Sequence, residues 1–455
     1  MELTKEQQQF NKMTKTPIPR LVTSLAVPTI ISMLVTAIYN LADTFFVAQL
    51  GTSAAGAVGI VFSLMSIIQA VGLTLGMGAG NVAAYLLGRK EYKAATSTGA
   101  TGFYAAILFG LILTIFGLLF LDPLMHALGS TPTILPYARD YAQYILLGAP
   151  VMCASFVLNN LLRSEGKAAF AMVGISFGGV LNILLDPYFI FTLGLGISGA
   201  AIATLISQCI SFLILLSCYL FKKTIIRLHI RHLSKHLKTY TKILKTGFPS
   251  LCRHGLASAA TVALNVSAAS YGDEAVAAMS VVGRIFMMVI AIMIGFGQGY
   301  TPVVGYNYGA ENYSRVKRAM FFALKTGIIL MSCLAVAGFF LAPQLMAIFR
   351  RDDAAVISIG TTAIRAQCLT LPLFPISTIT NMTLQVLGRS RQATLTASYR
   401  QGIFFFPLIF LLPLFFGILG IQIAQPLSDF LSSLACLPFL IPLVRELNSK
   451  IQNCA

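Results

Sequence analysis

TSLAVPTIISMLVTAIYNLADTFFVAQLG, residues 23–51, is predominantly apolar and carries a single charged residue, Asp43. A membrane-crossing helix needs roughly 20 such residues. Working outward, similar runs recur near 20–46, 53–80, 94–121, 134–164, 168–193, 196–221, 243–270, 275–305, 315–341, 354–388, 392–416 and 418–443. The predicted fold is therefore an all-α polytopic membrane protein of twelve transmembrane helices. Composition agrees: of the 455 residues 57% are hydrophobic and only 10% charged, with a mean hydropathy of +0.81. A soluble domain carries about 25% charged residues, and no soluble fold buries this much apolar surface.

The net charge of +17 argues for topology, not for nucleic acid. Its cations lie between apolar spans, as Lys and Arg do in cytoplasmic loops. With the N-terminus inside, the cytoplasmic segments hold Arg89, Lys90 and Lys93; Arg163 and Lys167; the run from Lys222 to Lys245; Arg315, Lys317 and Arg318; Arg389 and Arg391; and Arg445 and Lys450. The opposite loops carry only Arg139, Arg350, Arg351 and nearby Arg365, with Asp352 and Asp353 offsetting two of them. Residues 1–19 lack the apolar core of a signal peptide. The expected protein is multi-pass in the cell membrane with both termini cytoplasmic. The eight cysteines are scattered, without a CxxC pair, and read as free packing thiols.

An internal repeat lies near an offset of 220 residues. AVPTIISML (26–34) faces GFPSLCRHG (247–255), LGMGAG (75–80) faces IGFGQG (294–299), and LGRKEYKAA (87–95) faces YGAENYSRV (308–316). RSEGKAAF (163–170) faces QVLGRSRQ (385–392). Six helices per half place both halves in the same orientation, as two lobes related by a pseudo-two-fold axis along the membrane normal. Transporters of this kind bind substrate between repeats and rock them. The expected divisions are a cytoplasmic N-terminal segment 1–19, an N-lobe 20–221, a basic cytoplasmic linker 222–242, a C-lobe 243–443 and a cytoplasmic tail 444–455. The linker's His229, His232 and His236 have no carboxylate or cysteine beside them, and an interfacial amphipathic helix on anionic lipid is favoured over a metal site.

No GxxxxGK[ST] run occurs, so no phosphate cradle for ATP is expected. GLGISG (194–199) lacks the strand that such glycines need to hold a dinucleotide, and reads as a turn. No paired nucleophile and base appears within the spans, so an enzyme is not expected. What stands out is acid within apolar spans: Asp43, Asp186 and Asp429. An ionised group there costs at least about 2.5 kcal/mol. Asp43 and Asp186 each lie eight residues before the glycine that ends their span, about 12 Å deep. Thr204 is at similar depth, and Asn182 is one turn before Asp186. Such a group either holds a proton between two acids, binds a hard cation such as Na⁺ through oxygens, or only pins helices together. The positions equivalent to Asp43, Asn182 and Asp186 in the second half are Leu264, Phe404 and Leu408. Asp429 has two candidate partners, Arg253 and Arg400. Pro28 removes a backbone bond from the first span and stands as a hinge or a static kink.

The first-span run quoted above, RSEGKA (163–168), NILLDP (182–187), GAAIATLISQ (199–208) and SYRQGIFFFPL (398–408) together resemble the multidrug and toxic compound extrusion (MATE) family. The likeness runs through both halves and looks nearest to the DinF-like branch with its MepA-type multidrug pumps. It implies an antiporter exporting cationic, amphipathic organic compounds in exchange for H⁺ or Na⁺, by alternating access between two lobes and without a cofactor or ATP. It also implies a cation-coupling site at Asp43, Asn182, Asp186 and Thr204 with Tyr141 adjoining, and bending of the first helix at Pro28. Asp43 with Tyr39 and Asn40 forms the candidate substrate contact, and no metal beyond a transported Na⁺ is expected. Partners would be organic cations and membrane lipid, with no nucleic acid, and the chain would work as a monomer. The alternative within the superfamily is a flippase for a lipid-linked precursor, which needs cavity-facing cations; Arg253, Arg284 and Arg400 are the candidates.

Overall fold

The structure, a computed structural model, describes residues 4–349 and 353–454. Arg350, Arg351 and Asp352, part of the charge pattern above, lie outside the described residues. The chain is all helical in its ordered elements. A short α1 (Lys5–Lys15) precedes α2 (Ile18–Ala48), α3 (Thr52–Gly88), α4 (Tyr92–Leu119), α5 (Leu121–Ala127), α6 (Leu135–Ser164), α7 (Ala168–Pro187) and α8 (Gly196–Leu220). Then follow α9 (Leu237–Ala269), α10 (Asp273–Gly309), α11 (Tyr313–Phe349), α12 (Ala354–Thr370), α13 (Phe374–Val386), α14 (Ser390–Ser398), α15 (Phe405–Phe416) and α16 (Ile418–Cys454).

Among the described residues, eleven stretches are long and apolar enough to cross a membrane; α12 with α13, and α14 with α15, each count as one. The twelfth span is α9, whose Lys238, Lys242, Lys245 and Arg253 lower its apolar character. Several helices outrun the predicted spans. The 37 residues of α3 measure roughly 55 Å against a hydrocarbon core of about 30 Å. Its extra turns after residue 80, NVAAYLLG, are mostly apolar and pack inside the bundle.

The N-lobe is built from α2 to α8 and the C-lobe from α9 to α16. The repeat is visible in single bonds. Asn159 Nδ2 donates to the Ala171 carbonyl and Asn381 Nδ2 donates to the Ala393 carbonyl, equivalent contacts in the two lobes. The lobes meet through glycine. A Cβ on Gly88 of α3 would overlap the Tyr306 carbonyl of α10, and one on Gly309 would overlap the Tyr85 carbonyl. Gly78 meets Ile243 and Gly247 of α9 in the same way, and Gly295 and Gly299 of α10 lie on Ile30 and Ala26 of α2. All these contacts fall in the half of the molecule that carries the termini. Farther along α3, α9 and α10, a Cβ on Gly59, Gly255 or Gly283 would meet nothing within 4 Å.

The polar N-terminal segment forms α1, opened by a capping box between Thr4 and Gln7. One expectation needs correction. The linker is not an amphipathic helix: within 222–236 only Ile230–His232 forms a single 3₁₀ turn. Lys222 takes a left-handed φ of 54°, and side chains of the N-lobe capture the linker's backbone. Both Glu165 oxygens accept, from the Ile225 and Ile226 N–H groups at 3.0 and 2.9 Å, and Thr101 accepts from the Ser234 N–H. With those N–H groups satisfied elsewhere, helix has nothing to gain there, and α9 begins already at Leu237. Helix α16 runs on past residue 443 to Cys454.

Candidate cation-coupling site

Asp43 sits on α2 five residues before its end, Tyr141 in the first half of α6, Asn182 and Asp186 one turn apart on α7, and Thr204 on α8. All five are buried, Asp186 and Tyr141 completely. The Tyr141 hydroxyl donates to Asp43 Oδ2 at 3.1 Å. Asn182 Nδ2 donates to Asp186 Oδ1 at 3.0 Å and to Thr204 Oγ1 at 3.2 Å. Tyr141 links the two pairs, because its hydroxyl also interacts with Asp186 and Thr204. The structure thus brings together every residue of the expected coupling site.

Its electrostatics are unbalanced. Asp43 Oδ1, Asp186 Oδ2 and Asn182 Oδ1 are buried without a hydrogen-bond partner, and neither acid has an ion pair among the described residues. An orphaned buried oxygen carries a desolvation cost of about 1–3 kcal/mol, more when charged. The C-lobe acid shows the contrast. Asp429 accepts from Arg400 Nε at 2.7 Å, Gln425 at 2.8 Å and Gln367 at 2.9 Å. Arg400, not Arg253, is its partner; Arg253 instead donates to Asn381 at 3.1 Å. Asp429 is thus a satisfied structural pin, whereas the N-lobe cluster is an acceptor set short of donors. Such a set accommodates a proton or an oxygen-coordinated monovalent cation.

Tyr39 and Asn40 lie one turn before Asp43 and are half-buried. The Tyr39 ring packs on Gly179 of α7, where a Cβ would come within 3.1 Å of it. The Asn40 side chain meets no hydrogen-bond partner among the described residues. At Pro28, α2 runs on unbroken as one helix, and Ser32 Oγ donates back to the Pro28 carbonyl at 3.0 Å. Sequence reasoning missed Ser207. Its hydroxyl is buried and unpartnered one turn beyond Thr204, and the i+3 spacing on α8 was the available signal. A cavity of about 510 Å³ lies apart from this site on the flank formed by α11, α13 and α16, lined mainly by apolar groups such as Phe321, Ile328 and Leu440.

Two six-helix lobes and a buried polar cluster in one of them define the class: a polytopic membrane transporter. The family model described as MatE matches residues 28–188 and again 249–411, starting at the two prolines that the repeat aligns. The chain belongs to this family, whose members are transporters and not enzymes. It is 27% identical over 422 residues to the multidrug export protein MepA of Staphylococcus saprophyticus, covering 92% of this chain and 93% of that one. A crystal structure of MATE in complex with MaL6 superposes with a TM-score of 0.93 at 26% identity, over 98% of this chain and all of that one. The outward-facing conformation of a multidrug resistance MATE family transporter of the MOP superfamily gives 0.92 at 26% identity, covering 99% of this chain and 100% of that one.

Proposed function

We propose that the protein is a secondary antiporter of the MepA type, within the DinF-like branch, exporting cationic amphipathic compounds in exchange for H⁺ or Na⁺. The observation that carries this reading is the pair of buried acids, Asp43 and Asp186, with orphaned oxygens and no counter-charge. A coupling cation supplies what the site lacks, and its departure or competition by an organic cation drives the exchange. Likeness to a multidrug export protein and to an outward-facing transporter supports the substrate class and the direction. In this reading the termini are cytoplasmic and the cleft opens outward. The protein acts as a monomer, since one chain supplies both lobes.

The flippase alternative is not favoured. It needs free cations to hold a pyrophosphate, and Arg400 is engaged by Asp429. The test is transport of a fluorescent organic cation in proteoliposomes under a pH gradient alone and a Na⁺ gradient alone. One gradient should drive uptake in wild type and neither in Asp43→Asn. Transport by Asp43→Asn at the wild-type rate contradicts the proposal.

A further inference from the structure

Arg163 ends α6 at the RSEGK turn, where a cationic loop residue was expected. Instead its side chain is buried, 4% exposed. It points across the lobe boundary, donating through Nη1 to Gln298 of α10 and through Nη2 to Asn160 at 2.9 Å. It makes no ion pair among the described residues. Glu165, two residues on, is spent elsewhere: its carboxylate holds the linker N–H groups and Lys167 Nζ at 2.7 Å. A buried guanidinium with neutral partners alone leaves its charge uncompensated.

Beside it lies a cavity of about 10 Å³, lined by Asn81, Asn160, Arg163 and Ser164 from the N-lobe and by Gln298 and Thr301 from the C-lobe, among others. Asn81, 6% exposed, lines it with an Nδ2 that has no partner. As it stands the space suits one water-sized occupant, and a slightly larger monatomic anion enters with a small shift of the Gln298 side chain. Charge decides which: a positive side chain and an unused amide donor converge where no acid is present.

We infer that this cavity binds one monovalent anion of chloride size, held between Arg163 and Asn81 and closed over by Gln298 of the other lobe. A water satisfies the Asn81 donor but leaves the guanidinium charge standing; an anion answers both. Because both lobes wall the site, it exists only while they are joined at the terminus-bearing end. Occupancy therefore favours that closed arrangement by mass action. This inference is independent of the coupling ion, which belongs to the acid cluster in the outer half of the N-lobe.

The test is thermal unfolding of the purified full chain in uncharged detergent, with sodium chloride, bromide, sulfate or gluconate at equal ionic strength and equal sodium. Chloride and bromide should raise the midpoint saturably, and sulfate and gluconate should not. Asn81→Ala should weaken the half-saturating chloride concentration about tenfold, and Arg163→Gln should abolish the response. Gln298→Glu places a carboxylate beside Arg163. It should keep its stability in gluconate and lose the chloride response, which decides the matter even if Arg163→Gln fails to fold. A wild-type protein indifferent to chloride, leaving the cavity to water, overturns the inference. So does a chloride response that persists unchanged in Gln298→Glu.

Discussion

At the scale of single residues, the two lobes treat buried acids in opposite ways. Asp429 takes donors on both oxygens, while Asp43 and Asp186 each leave one bare. Removing Asp429 should therefore be a stability defect. Asp429→Asn leaves Arg400 without its counter-charge, a loss of about 3–5 kcal/mol for a broken buried pair, read as a lower unfolding midpoint. Tyr141→Phe deletes the hydroxyl that donates to Asp43. It should leave the expressed amount unchanged and reduce ion-driven efflux by up to about tenfold, the worth of one hydrogen bond, in a transport assay. The acids themselves were legible in the sequence, because charge inside an apolar run is conspicuous. Arg163 was not: at a span's end it has the same one-dimensional signature as a solvated loop cation, and only the approach of α10 buries it.

Among elements, α2 and α9 are equivalent by sequence and differ in how they are tied. Helix α9 is bonded along its length to the C-lobe, through Gln385 to Ser250 at 2.8 Å, Arg253 to Asn381 and Ser267 to the Ile409 carbonyl at 3.3 Å. Between residues 24 and 36 of α2, Ser24, Thr29, Ser32 and Thr36 bond to their own helix, and the side-chain ties to the N-lobe come farther along, at Tyr39 with Gln208 and at Asp43 with Tyr141. Pro28 lies within the self-bonded stretch, which is left to change shape when Asp43 changes partner. Pro28→Ala should restore a backbone bond and stiffen α2, slowing turnover while substrate binding in detergent persists. The linker was misjudged because its residues alternate apolar and basic in a helix-compatible way. The competing acceptor, Glu165, is some 60 residues distant in sequence. Glu165→Ala, which strands two buried N–H groups, should cost about 2–4 kcal/mol in unfolding experiments. Helix α1, by contrast, was announced by its Thr4–Gln7 box, a local signal in a segment read only for its polarity.

At the scale of the molecule, the twelve spans and the repeat were readable because lipid imposes length and charge rules on every helix. The way the lobes meet was not, since it depends on glycine contacts between helices far apart in sequence, such as Gly88 with Tyr306 and Gly78 with Ile243. Gly88 and Gly309 occupy equivalent places in the repeat and each abuts the other helix's carbonyl. Gly309→Ala should oppose closure at the terminus-bearing end by about 1–3 kcal/mol, seen as increased labelling of interlobe residues from that side.

The central claim is that the unpaired acids of the N-lobe exchange one cation for another. Its most direct test is binding of an organic cation to the purified protein in weakly buffered solution, recording proton release and, separately, competition by Na⁺. Wild type should release protons on binding, or lose affinity as Na⁺ rises, and the Asp43→Asn, Asp186→Asn double variant should do neither. Equal binding by both proteins, with no proton released and no effect of Na⁺, would contradict the account.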